Sequence, residues 1–303
     1  MNENDKQNFT EYLEASIHYQ MTNTWLNLIN SVEKDRFLNN FKPEDKIIGL
    51  VLLDMLLFHN QAEEKQLILS LIRKLMSAMY KRKNLKQDDS SKEINSYLQK
   101  EMEAICFIPV TDEDPADSSN AWTSILSEFI KTRNEFASID NLPIHILENK
   151  HHIVFYDDML GTGSQFERFL EKPRFSINER NKISISKLIE QTDTIHFYYM
   201  CIAAHKDGIQ RIKNKWNQIT ILASEIFDDK DDILSKENEY WELYENEIRD
   251  ELIAKIAKYI NEFTPDEKFT KNLPIIFERN RPSNTTFPLY WYNQSTWKPL
   301  KPR

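Results

Sequence analysis

Apolar residues recur at three- or four-residue spacing through the N-terminal part of the chain. Phe9, Leu13, Ile17, Met21, Trp25, Leu28 and Val32 form such a stripe, which predicts one buried face of a helix. Pro43, Glu44 and Asp45 read as a helix start, because proline is tolerated in the first turn and carboxylates suit the positive end of the dipole. The helix predicted from there to about Phe58 is apolar on most sides, as expected at the centre of a small bundle. Its apolar run, Ile47 to Phe58, is interrupted by Asp54 and is too short to span a bilayer. A third helix has Leu67, Ile68, Leu71, Ile72, Leu75, Met76 and Met79 on its buried side. It ends in Lys81, Arg82 and Lys83, where cations complement the dipole. The polar stretch Asn84–Asn95 then marks a boundary, so residues 1–95 are expected to form a helical region for packing or for docking a partner.

Beyond it the pattern changes. Ile105–Val110, Ile153–Tyr156, Ile195–Ala204 and Ile219–Ala223 are short continuous apolar runs, as in strands buried on both faces. Helix-period segments lie between them: Trp122–Phe136, Phe166–Leu170 followed by Ile183–Ile189, and Gly208–Trp216. This alternation predicts an α/β domain over residues 96–303, a doubly wound and mainly parallel sheet. A long charged helix is expected from about Lys236 to Phe263, with Trp241, Leu243, Tyr244, Ile248, Leu252, Ile256 and Tyr259 as its stripe. A last strand is expected at Leu273–Phe277, before an aromatic tail.

Composition narrows the function classes. Of 303 residues, 40% are hydrophobic and 29% charged, ample for a core and unlike a disordered chain. With 39 Lys and Arg against 48 Asp and Glu, the net charge of −9 gives no general attraction to nucleic acid or to an anionic membrane. Only four glycines occur, which excludes a glycine-fingerprinted dinucleotide fold. Cys106 and Cys201 lie in apolar strand-like runs and read as buried thiols. The polar N-terminus has no basic-then-apolar leader, so a soluble cytoplasmic protein is expected.

One segment carries chemistry: His152–Phe169, HIVFYDDMLGTGSQFERF. A strand is expected to end in Asp157 and Asp158, followed after two apolar residues by Gly161, Thr162, Gly163 and Ser164 and then by a helix. Ligands collect outside the carboxyl ends of parallel strands. Backbone amides of a glycine- and hydroxyl-rich turn at a helix N-terminus suit a phosphate. Two carboxylates just upstream can accept from vicinal ribose hydroxyls or hold a Mg²⁺-bound ligand. A sugar 5′-phosphate meets both requirements.

This segment resembles the ribose-5-phosphate motif of the type I phosphoribosyltransferases. The resemblance implies that Asp157 and Asp158 contact the ribose hydroxyls and carry the catalytic role. It implies that Gly161, Thr162, Gly163 and Ser164 cradle the 5′-phosphate. Gly161 stands where purine-using members have an acidic base, which argues against purine salvage, and Gln165 replaces a closing Thr. The wider likeness, in residues 108–122, the Asp-Asp to Gly-Thr-Gly segment and residues 281–292, is to phosphoribosyltransferase-like effectors of bacterial conflict systems, some beside a retron reverse transcriptase.

In the transferases the loop after the first strand binds diphosphate. The corresponding residues here are Thr111, Asp112, Asp114, Ser118 and Ser119, with Glu113 and Asp117 adding charge. The loop therefore uses metal, or no longer binds diphosphate, or turns its acids to solvent. Lys206, after His205 at a strand end, is a further candidate for phosphate. Arg279 and Arg281 suit a phosphate or an acidic partner, and Asn284 and Thr285 suit turns. His151 and His152 precede the motif strand at its far end and read as structural. The resulting expectation is an antiphage effector binding a ribose 5-phosphate or nucleotide ligand with Mg²⁺, acting by phosphoribosyl transfer or glycosidic cleavage. The alternative is an inactive nucleotide sensor or scaffold that docks a partner such as a reverse transcriptase and its nucleic acid.

Overall fold

The elements run in the order α1 (Glu3–Asn23), α2 (Lys34–Leu38), α3 (Lys46–Asp54), β1 (Leu57–His59), α4 (Gln61–Arg82), α5 (Ser91–Glu103), β2 (Ile105–Pro109) and α6 (Ser118–Phe129). They continue with β3 (His152–Leu160), α7 (Ser164–Glu171), β4 (Phe175–Asn178), β5 (Asn181–Ile183), α8 (Ile185–Gln191), β6 (His196–His205), α9 (Lys206–Lys215), β7 (Ile219–Phe227), α10 (Asn246–Phe263) and β8 (Ile275–Phe277). This computed structural model describes residues 3–23, 34–82, 91–111, 118–129, 136, 142, 150–173, 175–178, 181–263, 271–278, 287–290, 297–298 and 300. Trp25, Leu28, Val32 and Lys83 lie outside the described residues. No helix among those described is long and apolar enough to cross a membrane.

The chain divides into two compact units, residues 64–226 and residues 1–63 with 227–303. The boundary expected at 95/96 falls inside the first of these. The 64–226 unit is built on a sheet of order β2-β3-β6-β7, in which β2, β3 and β6 run parallel. Alternation along these strands sends side chains to two covered faces. Cys106, Ile153, Phe155, Phe197, Tyr199 and Cys201 face a core completed by Phe166 and Phe169 of α7, Ile185 and Ile189 of α8, and Ile212 of α9. On the other face, Trp122 of α6 stacks on Tyr156 with centroids 6.2 Å apart. Arg82 of α4 lies over the ring of Tyr198 on that face. Lys74 of α4 also donates to the Ala223 carbonyl of β7 at 2.6 Å. The result is an α/β fold with helices on both faces of a parallel sheet, as the alternating runs predict. The stripe on α4 suits any apolar surface, so the sequence could group it with the N-terminal helices although it packs on the sheet. The hairpin of β4 and β5 was not foreseen, since Phe175–Ile183 lacks a long apolar run.

The other unit packs α1, α2, α3 and α10 around one core. Leu13 and Ile17, Phe37, the apolar face of α3, Leu252, Ile256 and Tyr259 meet there with Trp241, Tyr290 and Trp297. Two expectations are corrected. The helix expected over Lys236–Phe263 starts at Asn246; Glu239–Leu243 is a separate 3₁₀ turn capped by Asn238, whose side chain accepts from Tyr240 N–H at 3.0 Å. The helix expected to reach Phe58 ends at Asp54, and Leu57–His59 forms β1, paired in parallel with β8. Leucine and phenylalanine suit either state, so only the presence of β8 decides.

Candidate functional site

Asp157 and Asp158 lie in the strand as expected, but the strand does not end with them. β3 runs through them to Leu160, with Asp157 opposite Cys201, Met159 opposite Ala203 and Leu160 opposite Ala204. Met159 and Leu160 are what extend it, because β6 offers them a fully buried partner. By the two-residue period, Asp157 shares the face of Phe155 and Asp158 that of Tyr156. Both are buried, at 2% and 6% exposure, and Asp157 Oδ1 accepts from the backbone N–H of Asp158 at 2.9 Å. Buried charge is expensive without compensation, so a pair of carboxylates here marks a special position. Their field is felt by neighbours. Burial, and then the charge of Asp157, holds the Tyr199 hydroxyl well above its ordinary range. The Cys201 thiol is raised in the same way, by burial first and Asp157 next. A negative local field on oxygen ligands fits a hard divalent cation or a ligand carrying one.

β3 leads directly into the glycine loop. Gly163 adopts the left-handed conformation with φ 77° and stands as N-cap of α7, where a side chain would be strained. Glu167 N–H donates to the Gly163 carbonyl at 2.9 Å, so the first turn of α7 closes on the loop. The Thr162 and Ser164 hydroxyls are 2.8 Å apart and half-buried. Two hydroxyls and the N–H groups of a helix start therefore share one place, a suitable cradle for an anion. Replacing Gly163 by Ala should cost about 1 kcal/mol through the left-handed backbone alone. The test is thermal unfolding, and an unchanged midpoint would contradict the strain.

A second helix start supports this loop. β6 ends at His205, which is 1% exposed and whose Nδ1 accepts from Asp207 N–H at 3.1 Å as N-cap of α9. Gly208, in the first turn of α9, lies against the loop so closely that a Cβ built there would be 2.2 Å from the Gly161 carbonyl oxygen and 3.1 Å from that of Leu160. Farther along, the buried Glu167 of α7 accepts from Arg211 Nε of α9 at 2.5 Å and from Lys215 Nζ. Glycine contact at one end and an ion pair at the other fasten α7 to α9 beneath the loop.

The expected site residues thus separate into four groups. Asp157, Asp158, Gly161, Thr162, Gly163 and Ser164 are contiguous at the carboxyl end of β3. Lys206, exposed, opens α9 at the same end of the sheet. Thr111 follows β2 and is half-buried, while Ser118 and Ser119 are the first two residues of α6. Asp112, Glu113, Asp114, Asp117, Arg279, Arg281, Asn284 and Thr285 lie outside the described residues. Gly208 and Glu167 escaped the sequence reading. The first had a signal, since a glycine in a chain with four of them, at a helix start, asks for a steric reason. The second had none, because a glutamate in a surface-like helix does not announce its two cations.

A family model described as PRTase-CE matches residues 34–303. The chain belongs to the PRTase-CE family. No curated protein matches it. The PRTase-CE match includes the β3–α7 motif and indicates a phosphoribosyltransferase-like domain. It begins at Lys34, so it takes in α2, α3 and α4, which the sequence reading assigned to a separate helical region.

Proposed function

We propose that this PRTase-CE protein binds the ribose 5-phosphate portion of a nucleotide or of phosphoribosyl diphosphate, with Mg²⁺, as an effector of antiphage defence. The observation that carries the reading is the continuity of the buried Asp157–Asp158 pair with the left-handed Gly163 at the start of α7. Carboxylates suit ribose hydroxyls, and the N–H groups and hydroxyls of residues 161–164 suit the 5′-phosphate. Asp157 and Asp158 would hold Mg²⁺ through the ligand, and the ion would supply neutralisation of phosphate charge. Where the ligand turns over, Asp157 and Asp158 stabilise positive charge developing at the anomeric carbon, in phosphoribosyl transfer or glycosidic cleavage.

One observation favours a second reading, a sensor or scaffold without turnover that docks a partner such as a reverse transcriptase. His205, the imidazole at the end of the neighbouring strand, has its Nδ1 engaged in the α9 cap rather than available as a base. The two readings separate by ³¹P NMR of the purified chain with Mg²⁺ and phosphoribosyl diphosphate, NAD or common nucleotides. Wild type should shift or convert one of them. Asp158→Ala should weaken that binding by about 10- to 100-fold, the worth of one charge-assisted hydrogen bond, while Asp158→Asn retains the fold and shows the same sign. Binding without conversion selects the sensor. Absence of binding to every compound removes both.

A further inference from the structure

At the amino end of the sheet, opposite the glycine loop, four elements bring together an assembly of ionisable side chains. His152 begins β3 and His196 begins β6, directly paired in register, with ring centroids 5.3 Å apart. Arg82, the last residue of α4, reaches both flanking strands. Its Nη1 is 2.8 Å from His196 Nδ1, its Nη2 donates to Thr220 Oγ1 of β7 at 3.2 Å, and its guanidinium lies 5.6 Å from the Tyr198 ring centroid. From α5, Glu101 Oε2 is 2.5 Å from His152 Nε2. Tyr97 of α5 also hydrogen-bonds Glu101. His151 lies beside the pair and is exposed.

Arginine can only donate. The Arg82–His196 hydrogen bond therefore requires a neutral imidazole whose Nδ1 carries a lone pair. A proton on His196 removes the acceptor and sets two cations 2.8 Å apart. His152 reinforces this. Its Nε2 faces the Glu101 carboxylate, and its buried Nδ1 has no hydrogen-bond partner among the described residues, so a second proton there would be desolvated as well.

We propose that Arg82 and His196 form a proton-sensitive latch, which holds the end of α4 on the amino edge of the sheet while His196 is neutral and releases it on protonation. Among the described residues, Arg82, His152 and His151 oppose a charge on His196, and Glu101 favours it. Burial is the largest influence, and both His196 and His152 are held below their ordinary range. The sign follows. The unfolded chain takes up these protons at about the usual imidazole value, near 6.5, and the folded chain only at lower pH. Stability from the latch is complete above about pH 6.5 and is lost as pH falls through the lowered folded values. α5, which Glu101 attaches to this edge, leads within two residues into β2 and so to Thr111.

Amide exchange of the full chain at about pH 7.5 and about pH 5.5, corrected for intrinsic rates, tests it together with imidazole NMR titration. In wild type, protection of residues 79–82 and 196–198 should fall at least about tenfold on acidification. His196→Asn, which keeps an acceptor and cannot take a proton, should hold its protection. In Arg82→Gln, His196 should titrate closer to the ordinary imidazole value. Wild-type protection that ignores pH, an equal loss in His196→Asn, or an unmoved His196 titration in Arg82→Gln would each overturn the proposal. The last measurement decides even where His196→Asn does not fold.

Discussion

Gly208→Ala is expected to destabilise the protein and to weaken ligand binding together, although alanine is the better helix former. Propensity alone favours alanine over glycine inside a helix by about 1 kcal/mol. Against this, the added Cβ would stand 2.2 Å from the Gly161 carbonyl oxygen, and the atoms it meets are backbone. Overpacking of a well-packed interior typically costs about 1–3 kcal/mol, at the upper end when no side chain can turn away. The steric effect should prevail, giving a net loss of roughly 1–2 kcal/mol and a fall of several degrees in Tm. The displaced group is the Gly161 carbonyl itself, so the loop 161–164 must move off α9. Affinity for the proposed ribose 5-phosphate ligand should therefore drop while Glu167, Arg211 and Lys215 still join the two helices. A rise in Tm in Gly208→Ala would show that the two backbones do not approach as described.

Asp54→Ala should strongly destabilise the 1–63 and 227–303 unit. Asp54 is the last residue of α3, where a negative charge opposes the dipole by about 0.3–1 kcal/mol. Its network outweighs that. Oδ1 accepts from Ser16 Oγ at 2.6 Å and Gln20 Nε2 at 3.4 Å, and Oδ2 accepts from Tyr240 Oη at 2.7 Å. Tyr244 donates in turn to the Tyr240 oxygen at 3.2 Å. Hydrogen bonds to a charged acceptor are worth about 1.5–3 kcal/mol each, and removing the acceptor strands the Tyr240 hydroxyl, which is already held far above its usual range, burial first. A loss of about 2–4 kcal/mol in urea unfolding is expected for Asp54→Ala, and clearly less for Asp54→Asn, which keeps one oxygen. Equal losses in the two variants would mean that the carboxylate's charge, rather than its acceptor geometry, is what α1 and the 239–243 turn rely on.

Asp54 also shows how far one-dimensional pattern reaches. In the sequence it is an interruption in an apolar run; two distant segments, α1 and the 240–244 stretch, give it a purpose. The Asp157–Gly163 segment was legible because its parts are contiguous: strand, acid pair, turn and helix start follow one another, and local backbone rules suffice to read them. Likewise the alternation of apolar runs and helix periods was enough to predict a parallel α/β domain, since a strand buried on both faces has no polar side to show. What pattern does not contain is the identity of the surface that each apolar stripe meets. The stripe on α4 fits a bundle as well as a sheet, and Leu57–His59 fits a helix end as well as a strand. Inclusion of the acid pair in a buried strand was hidden for the same reason: β3 runs on through Asp157 and Asp158 because β6 places Cys201 and Ala203 alongside, more than forty residues away. The sequence by itself determined the local structure of the β3–α7 segment and the class of the fold. The tertiary structure alone decided that Gly208 seats that loop, that α4 covers the sheet, and that His152 and His196 meet Arg82, because contact between distant segments depends on shape and on the loss of water, not on spacing along the chain.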